Sequence, residues 1–176
     1  MFRFGLVALL VAVLPAFASA HGPSRKKEIA TFELNAPAEK VWAVLGNYGD
    51  MTWHPDVAKS EAKGNMEPDV ATRVLTLKDG KIIHDGLLGY EPDRMFISFM
   101  TTKVDLTALP VEGFKSEFTV KDEGGKTNVT WLAAFYRGYT NNDPPPELSD
   151  EAAIKAVKAF QERGIEALKA KFDAGG

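Results

Sequence analysis

The chain has 176 residues, no cysteine, and 21 Lys and Arg against 24 Asp and Glu, for a formal net charge of −3. The lack of cysteine excludes disulfides, thiolate metal centres, iron–sulfur clusters and a cysteine nucleophile. The slight acidity is unfavourable for a nucleic-acid groove, which needs a surplus of cations. Three histidines leave little material for a zinc or iron site made of protein ligands, so no metal and no cofactor is predicted.

The first twenty residues have the pattern of a secretory signal peptide. One cation, Arg3, precedes an almost wholly apolar run over residues 4–16, and residues 18–20 (Ala-Ser-Ala) form a small-x-small cleavage site. The apolar run is shorter than the ~20 residues that cross a membrane, and a proline interrupts it. We therefore expect cleavage after Ala20, no stable membrane span afterwards, and a periplasmic protein that begins at His21.

The next segments predict a strand and a short helix. Residues 21–28 are predicted to form a flexible, basic arm, and the alternation over residues 28–34 (EIATFEL) predicts a strand. Pro37 suits the first position of a helix, and apolar residues recur at helical spacing over residues 38–47. Residues 50–57 contain a proline and are predicted to form a turn or a single helical turn.

From residue 58 to residue 138 the apolar period is two, which predicts consecutive antiparallel strands. Asp79-Gly80 is a two-residue hairpin signal. Residues 122–126 (DEGGK) are predicted to form a second hairpin turn. The alternation places Arg73 on the same face as Leu75. The strands are predicted at residues 71–78, 81–90, 95–104, 114–121 and 127–138.

A long amphipathic helix is predicted at the carboxyl end. Residues 141–146 (NNDPPP), called the connector below, are stiff and extended because three prolines fix φ. Ser149 is a good N-cap, and the helix is predicted to run to about Phe172. The fold class is therefore α+β, a curved antiparallel sheet of about seven strands wrapped around one C-terminal helix.

A helix in a curved trough leaves a gap that large side chains fill or that remains as a ligand cavity. The predicted lining is apolar and aromatic rather than reactive, and no catalytic residue is predicted. The candidates for the cavity are Trp53, His54, Leu75, Phe99, Phe118, Trp131, Phe135 and Phe160.

The titratable residues leave alternatives open. His54 lies at the cavity mouth as an acid, base or ligand contact, or it satisfies a backbone carbonyl while Trp53 fills the seam between helix and sheet. Arg73 and Arg137 project into the cavity toward a ligand carboxylate, or they form cross-strand ion pairs or face solvent. His84 and Asp85 are adjacent on a strand and point to opposite faces. Asp85 is grouped with the turn carboxylates Glu91 and Asp93 near Arg94, and these are expected to be solvated.

The connector and its flanks are candidates for binding a partner, since a stiff loop loses little entropy on docking. The alternative is a rigid spacer that sets the direction of the long helix. The candidate residues are Tyr136, Tyr139, Asn141, Asn142, Asp143, Pro144, Pro145 and Pro146.

Several segments resemble the START/Bet v 1-like (SRPBCC, polyketide cyclase/dehydratase-like) superfamily, which implies one helix-grip domain over residues 29–173. They are residues 36–42 (APAEKVW), 53–55 (WHP), 73–80 (RVLTLKDG) and 124–131 (GGKTNVTW).

Three further segments resemble the MxaD-type proteins of methylotrophic bacteria: residues 21–23 (HGP), 53–63 (WHPDVAKSEAK) and 135–157 (FYRGYTNNDPPPELSDEAAIKAV). This resemblance implies a non-enzymatic periplasmic accessory of methanol oxidation, with methanol dehydrogenase and its cytochrome c as partners. The alternatives are a carrier of a small hydrophobic ligand, or a cyclase/dehydratase enzyme with at least two titratable side chains converging in the cavity.

Overall fold

The computed structural model describes residues 22–173. The predicted signal peptide, its cleavage site and His21 lie outside the described residues. Within residues 22–173 no helix is both long enough and apolar enough to cross a membrane. The elements in chain order are β1 (Lys26–Leu34), α1 (Ala38–Leu45), β2 (Val57–Lys63), β3 (Thr72–Leu77), β4 (Ile82–Glu91), β5 (Phe96–Val104), β6 (Val111–Asp122), β7 (Thr127–Arg137) and α2 (Asp150–Asp173).

The seven strands form one antiparallel sheet in the order β1-β7-β6-β5-β4-β3-β2. Strands β2 to β7 are a meander of sequential neighbours, and β1 closes the sheet by pairing with β7. Helix α1 packs against β6 and β7, while α2 packs against β1 and β7. The predicted fold class, a helix-grip fold of seven curved strands and one long C-terminal helix, is confirmed.

Local sequence explains the turns and the curvature. Gly80 adopts φ +84° in the β3–β4 hairpin, a backbone conformation that favours glycine. The prediction of a two-residue loop was wrong by one residue, because the Leu77 N–H donates to the Lys81 carbonyl at 2.8 Å and leaves residues 78–80 as the loop. A bulge interrupts the β6–β7 register between Glu112 and Lys115, around Gly113 at φ +56°, and a bulge bends its strand. Ser149 caps α2, because its Oγ accepts a hydrogen bond from the Ala152 N–H at 3.2 Å. The curved sheet therefore presents a concave face to α2.

Strand β1 begins at Lys26, inside the segment predicted to be a flexible arm. Tertiary contacts order these residues. Lys26 is in register with Phe135 of β7, and its Nζ lies 2.9 Å from Oδ2 of Asp150 at the start of α2. The alternation pattern could not show this, because it is weak where the strand begins.

Candidate functional site

The space between the concave face of the sheet and α2, called the hollow below, is almost filled by aromatic side chains. Trp131 and Phe118 pack with ring centroids 4.7 Å apart, and both are buried, as is Phe135. The remaining cavity has about 10 Å³ in which the centre of a water molecule fits, which is near the lower limit for one water. Its lining residues are Met51, Leu75, Ile83, Asp85, Phe99, Thr101, Phe114, Ser116 and Phe160.

The predicted cavity residues other than His54 therefore differ in where they lie. Leu75, Phe99 and Phe160 line the remaining cavity. Trp53 is half-buried and lies edge-on to Trp131, with ring centroids 6.1 Å apart, while Phe118 and Phe135 belong to the solid core. The structure brings all of them to one side of the sheet, and the cavity lined by Leu75, Phe99 and Phe160 has room for about one water molecule.

The hollow also contains a buried ion pair between β3 and β4. Arg73 and Asp85 face each other in the strand register and are 2% and 3% exposed. Arg73 Nη2 and Nε donate to Asp85 Oδ2 at 2.6 and 3.2 Å, and Thr101 Oγ1 donates to Asp85 Oδ1 at 3.1 Å. The prediction that Asp85 is solvated with the turn carboxylates was wrong, because Arg73 compensates its charge inside the fold. The prediction of a purely apolar lining was wrong for the same reason.

Tyr48 completes this cluster, and sequence reasoning did not single it out. Its carbonyl accepts a hydrogen bond from Arg73 Nη1 at 2.9 Å, and the guanidinium lies 4.5 Å from the centroids of the Tyr48 and Phe99 rings. The Tyr48 hydroxyl is buried and has no hydrogen-bond partner among the described residues. Burial raises the pKa of Tyr48 above its ordinary value of 10.0, so the phenol stays protonated at neutral pH.

His54 is fully buried and both of its ring nitrogens are engaged. The Asp56 N–H donates to Nδ1 at 3.2 Å, so Nδ1 carries no proton; Nε2–H therefore donates to the Phe160 carbonyl oxygen at 3.0 Å. The ring stacks on Phe160 with centroids 3.9 Å apart. Burial lowers the pKa of His54 below its ordinary 6.5, which keeps the imidazole neutral. His54 thus satisfies a backbone carbonyl, as one of the two alternatives held.

Gly164 of α2 makes room for the imidazole, and sequence reasoning missed it. A Cβ at this position would lie 2.8 Å from His54 Cδ2 and 2.9 Å from Trp131 Cζ3. Just outside the ring, Arg163 Nη2 donates to Asp56 Oδ2 at 2.6 Å, which ties the same turn to α2. A glycine inside an otherwise regular helix was the only available sequence signal.

The geometry restricts the chemistry of the hollow. Each oxygen of Asp85 and each nitrogen of His54 already has a protein partner, so neither group is free to exchange a proton with a bound molecule. Over residues 22–173 no group of three or more His, Asp or Glu side chains is placed to hold a metal ion. In this conformation the hollow is a packed core with a neutral histidine and a compensated ion pair.

The partner-binding candidates lie together at the opposite end of β7 from the β6–β7 hairpin. Arg137 Nε and Nη2 donate to the carbonyl oxygens of Tyr139 and Asn141, each at 2.8 Å, so Arg137 holds the connector and does not enter the hollow. Residues 141–143 are exposed. Tyr136, Tyr139, Pro144 and Pro145 are half-buried, and Pro146 is exposed at the start of a short 3₁₀ turn.

The remaining titratable candidates lie at the surface. His84 is half-buried on the face of β4 opposite to Asp85, as the alternation predicted. Arg94 Nη1 donates to Glu91 Oε2 at 2.8 Å, and both side chains are exposed, as is Asp93. Glu91 and Arg94 therefore form a solvent-exposed ion pair at a turn.

Solved structures with the same fold come from several bacteria. The chain is similar to an uncharacterised protein from Bacillus thuringiensis (23% identity, 84% of this chain and 98% of the other, TM-score 0.69). It is similar to the protein XoxI from Bacillus cereus (22%, 83% and 94%, TM-score 0.69). It also resembles the Zhui aromatase/cyclase from Streptomyces (18%, 87% and 99%, TM-score 0.68). At these identities the likeness shows the fold alone.

Sequence comparison identifies the family directly. None of the curated proteins matches the sequence significantly. The family described as polyketide cyclase/dehydrase and lipid transport matches residues 29–173, which is nearly all of the part that the structure describes. The chain therefore belongs to the polyketide cyclase/dehydrase and lipid transport family.

Proposed function

We propose that this chain is an exported, non-enzymatic accessory protein of methanol oxidation, which acts in the periplasm by promoting contact between methanol dehydrogenase and its cytochrome c. The signal-peptide pattern of the first twenty residues and the resemblance of residues 135–157 to MxaD-type proteins support this role. The observation that carries the proposal is the filled hollow, because a protein without room for an internal ligand acts through its surface.

The filled hollow argues against the two alternatives in this conformation. A carrier needs a cavity of several hundred Å³ to enclose a small organic ligand, whereas about 10 Å³ remains here. A cyclase needs a titratable group that is free to reach its substrate. Asp85 and His54 converge on the hollow from two sides, but their polar atoms are taken up by protein partners.

The connector supplies the docking surface in this proposal. Arg137 fixes the carbonyls of Tyr139 and Asn141 on one side of the exposed residues. On the other side, the rings of Pro144, Pro145 and Pro146 fix their own φ angles. The exposed polar side chains of Asn142 and Asp143 are thus presented on a backbone that is already ordered. A pre-ordered segment loses less entropy on association, which favours binding.

The test is a reconstitution with purified methanol dehydrogenase and its cytochrome c. We expect that adding this protein increases the rate of methanol-dependent cytochrome reduction. The double variant Asn142→Ala/Asp143→Asn should weaken the effect, because it changes the exposed side chains; asparagine also tolerates the positive φ of +55° at position 143.

The matched control is the double variant Lys121→Gln/Glu123→Gln, which changes two exposed residues in and beside the β6–β7 hairpin, at the far end of β7. It should keep the full effect. An unchanged reduction rate with the wild-type protein would overturn the proposed function. An equal effect of wild type and connector variant would instead remove the connector from it.

A further inference from the structure

The turn formed by residues 51–56 closes the hollow on the side of α2. Met51, at its start, lines the remaining cavity. His54, at its centre, stacks on Phe160 of α2, and the Phe160 side chain lines the same cavity from the helix. Moving this turn outward would therefore enlarge the cavity without separating the strands of the sheet.

Besides the stacking of His54 on Phe160, two polar contacts hold the turn against α2, and both involve side chains of the turn. The first is the hydrogen bond from His54 Nε2–H to the Phe160 carbonyl, inside the fold. The second is the ion pair between Asp56 and Arg163, in which the closest atoms are 2.6 Å apart at the surface. Outside the turn lies an open groove of about 260 Å³, lined in part by Pro55 and Asp56. The turn consequently has free space into which it can move.

We propose that residues 51–56 form an acid-sensitive plug, which protonation of His54 releases from α2 so that the hollow becomes accessible to small apolar molecules. This inference does not depend on the proposed function. It rests on the hydrogen bonds of the ring and on the position of the turn between the cavity and the groove.

Protonation is incompatible with the closed geometry at Nδ1. In the imidazolium both nitrogens carry hydrogen, so Nδ1–H would face the Asp56 N–H that it now accepts from at 3.2 Å. Two donors would oppose each other, and the added charge would be buried beside an Asp56 carboxylate that is already paired with Arg163. The only charged groups among the residues that surround the ring are Asp56 and Arg163, which neutralise each other. The surrounding residues are Trp53 and Asp56 of the turn, Phe160, Arg163 and Gly164 of α2, and Trp131 of β7.

The direction of the pH effect follows from linkage. Burial lowers the pKa of His54 in the closed form, whereas in the open form the imidazole titrates near its ordinary 6.5. The open form therefore binds more protons, and the opening constant rises as the pH falls below about 6.5, until the lowered pKa of the closed form is reached. One proton gives a tenfold rise per pH unit, or up to about 30-fold at pH 5.0 relative to pH 7.5.

Amide hydrogen exchange followed by NMR measures this opening in the full chain. The Asp56 and Val57 amides donate to His54 Nδ1 and to the His54 carbonyl, so they report on the internal structure of the turn, while the Val129 and Trp131 amides report on the sheet. Release of the turn from α2 is reported by the xenon probe described below. After correction for intrinsic rates, protection at Asp56 and Val57 should fall up to about 30-fold between pH 7.5 and 5.0. Protection at Val129 and Trp131 should stay constant.

Two variants and a gas probe complete the test. His54→Gln, which cannot titrate, should show no pH-dependent protection in the turn, and His84→Gln should behave as wild type. Xenon at pH 5.0, but not at pH 7.5, should shift the methyl signals of Met51 and Leu75, which line the cavity. Turn protection that is independent of pH in the wild type would overturn the proposal. So would a simultaneous loss of protection in the sheet, because the whole fold would then be opening.

Discussion

At the scale of single residues, the ion pair of Arg73 and Asp85 places two opposite charges inside the core. Both charges have left water, and each is compensated by the other at 2.6 Å, with Thr101 and the Tyr48 carbonyl as further partners. Such a pair contributes little net stability relative to apolar residues of the same volume. Removing one partner is costly, since the other charge stays buried without compensation.

We therefore expect Asp85→Ala to lower the free energy of unfolding by about 3–5 kcal/mol, whereas the double variant Arg73→Met/Asp85→Leu loses much less. Urea denaturation monitored by tryptophan fluorescence measures both. The matched control is Arg94→Met, which breaks the exposed Glu91–Arg94 pair and should cost about 0–1 kcal/mol. If Asp85→Ala costs no more than Arg94→Met, the pair is not buried as described.

At the scale of elements, the contact between α2 and the turn at residues 51–56 depends on one missing side chain. Gly164 lowers the intrinsic stability of the helix by about 1 kcal/mol relative to alanine. Its lack of a Cβ lets the His54 and Trp131 rings come within 3 Å of where that atom would stand. The packing of the helix against the aromatic core thus outweighs its local conformational preference.

The prediction for this element is that Gly164→Ala destabilises the protein by about 1–2 kcal/mol, although alanine is the better helix former, because overpacking of a core costs more than the propensity gain. Thermal denaturation followed by far-UV circular dichroism provides the measurement. Ala170→Gly at an exposed position of α2 calibrates propensity alone and should cost about 1 kcal/mol. An increase in stability for Gly164→Ala would contradict the close approach.

At the scale of the whole molecule, the sheet and α2 share one hydrophobic core. Phe118 and Trp131 come from the sheet, Phe160 and Leu168 come from α2, and all four belong to the same buried cluster. Helix α2 is amphipathic and buries its apolar face against the sheet and against the turn at residues 51–56. Neither part has a core of its own, so they should unfold together.

We accordingly expect one cooperative transition at neutral pH. Far-UV circular dichroism, which reports chiefly on α2, and tryptophan fluorescence, which reports on the core of the sheet, should give the same midpoint in urea. Separate midpoints would show that α2 detaches first and that the core is not shared.

Local pattern accounts for much of this architecture. Period-two alternation predicts the strands and places Arg73 on the same face as Leu75, and the position of the β3–β4 turn and the Ser149 cap follow from short-range chemistry. The order of the strands and the long C-terminal helix could therefore be predicted from pattern, and the helix-grip arrangement from the family resemblance. The partner of Arg73 could not be predicted, because a two-residue turn at Asp79-Gly80 would put Gly86 opposite Arg73, whereas the observed three-residue loop puts Asp85 there.

The amino-acid sequence alone determined the order of elements, the inward and outward faces of the strands, and the membership of the family, since these depend on neighbours a few residues apart or on whole-length similarity. Only the tertiary structure decided that the hollow is filled, that His54 is a neutral donor to Phe160, and that Gly164 admits its ring. The physical reason is distance along the chain. His54 and Phe160 are 106 residues apart, and packing between such residues depends on side-chain shape that no local period encodes.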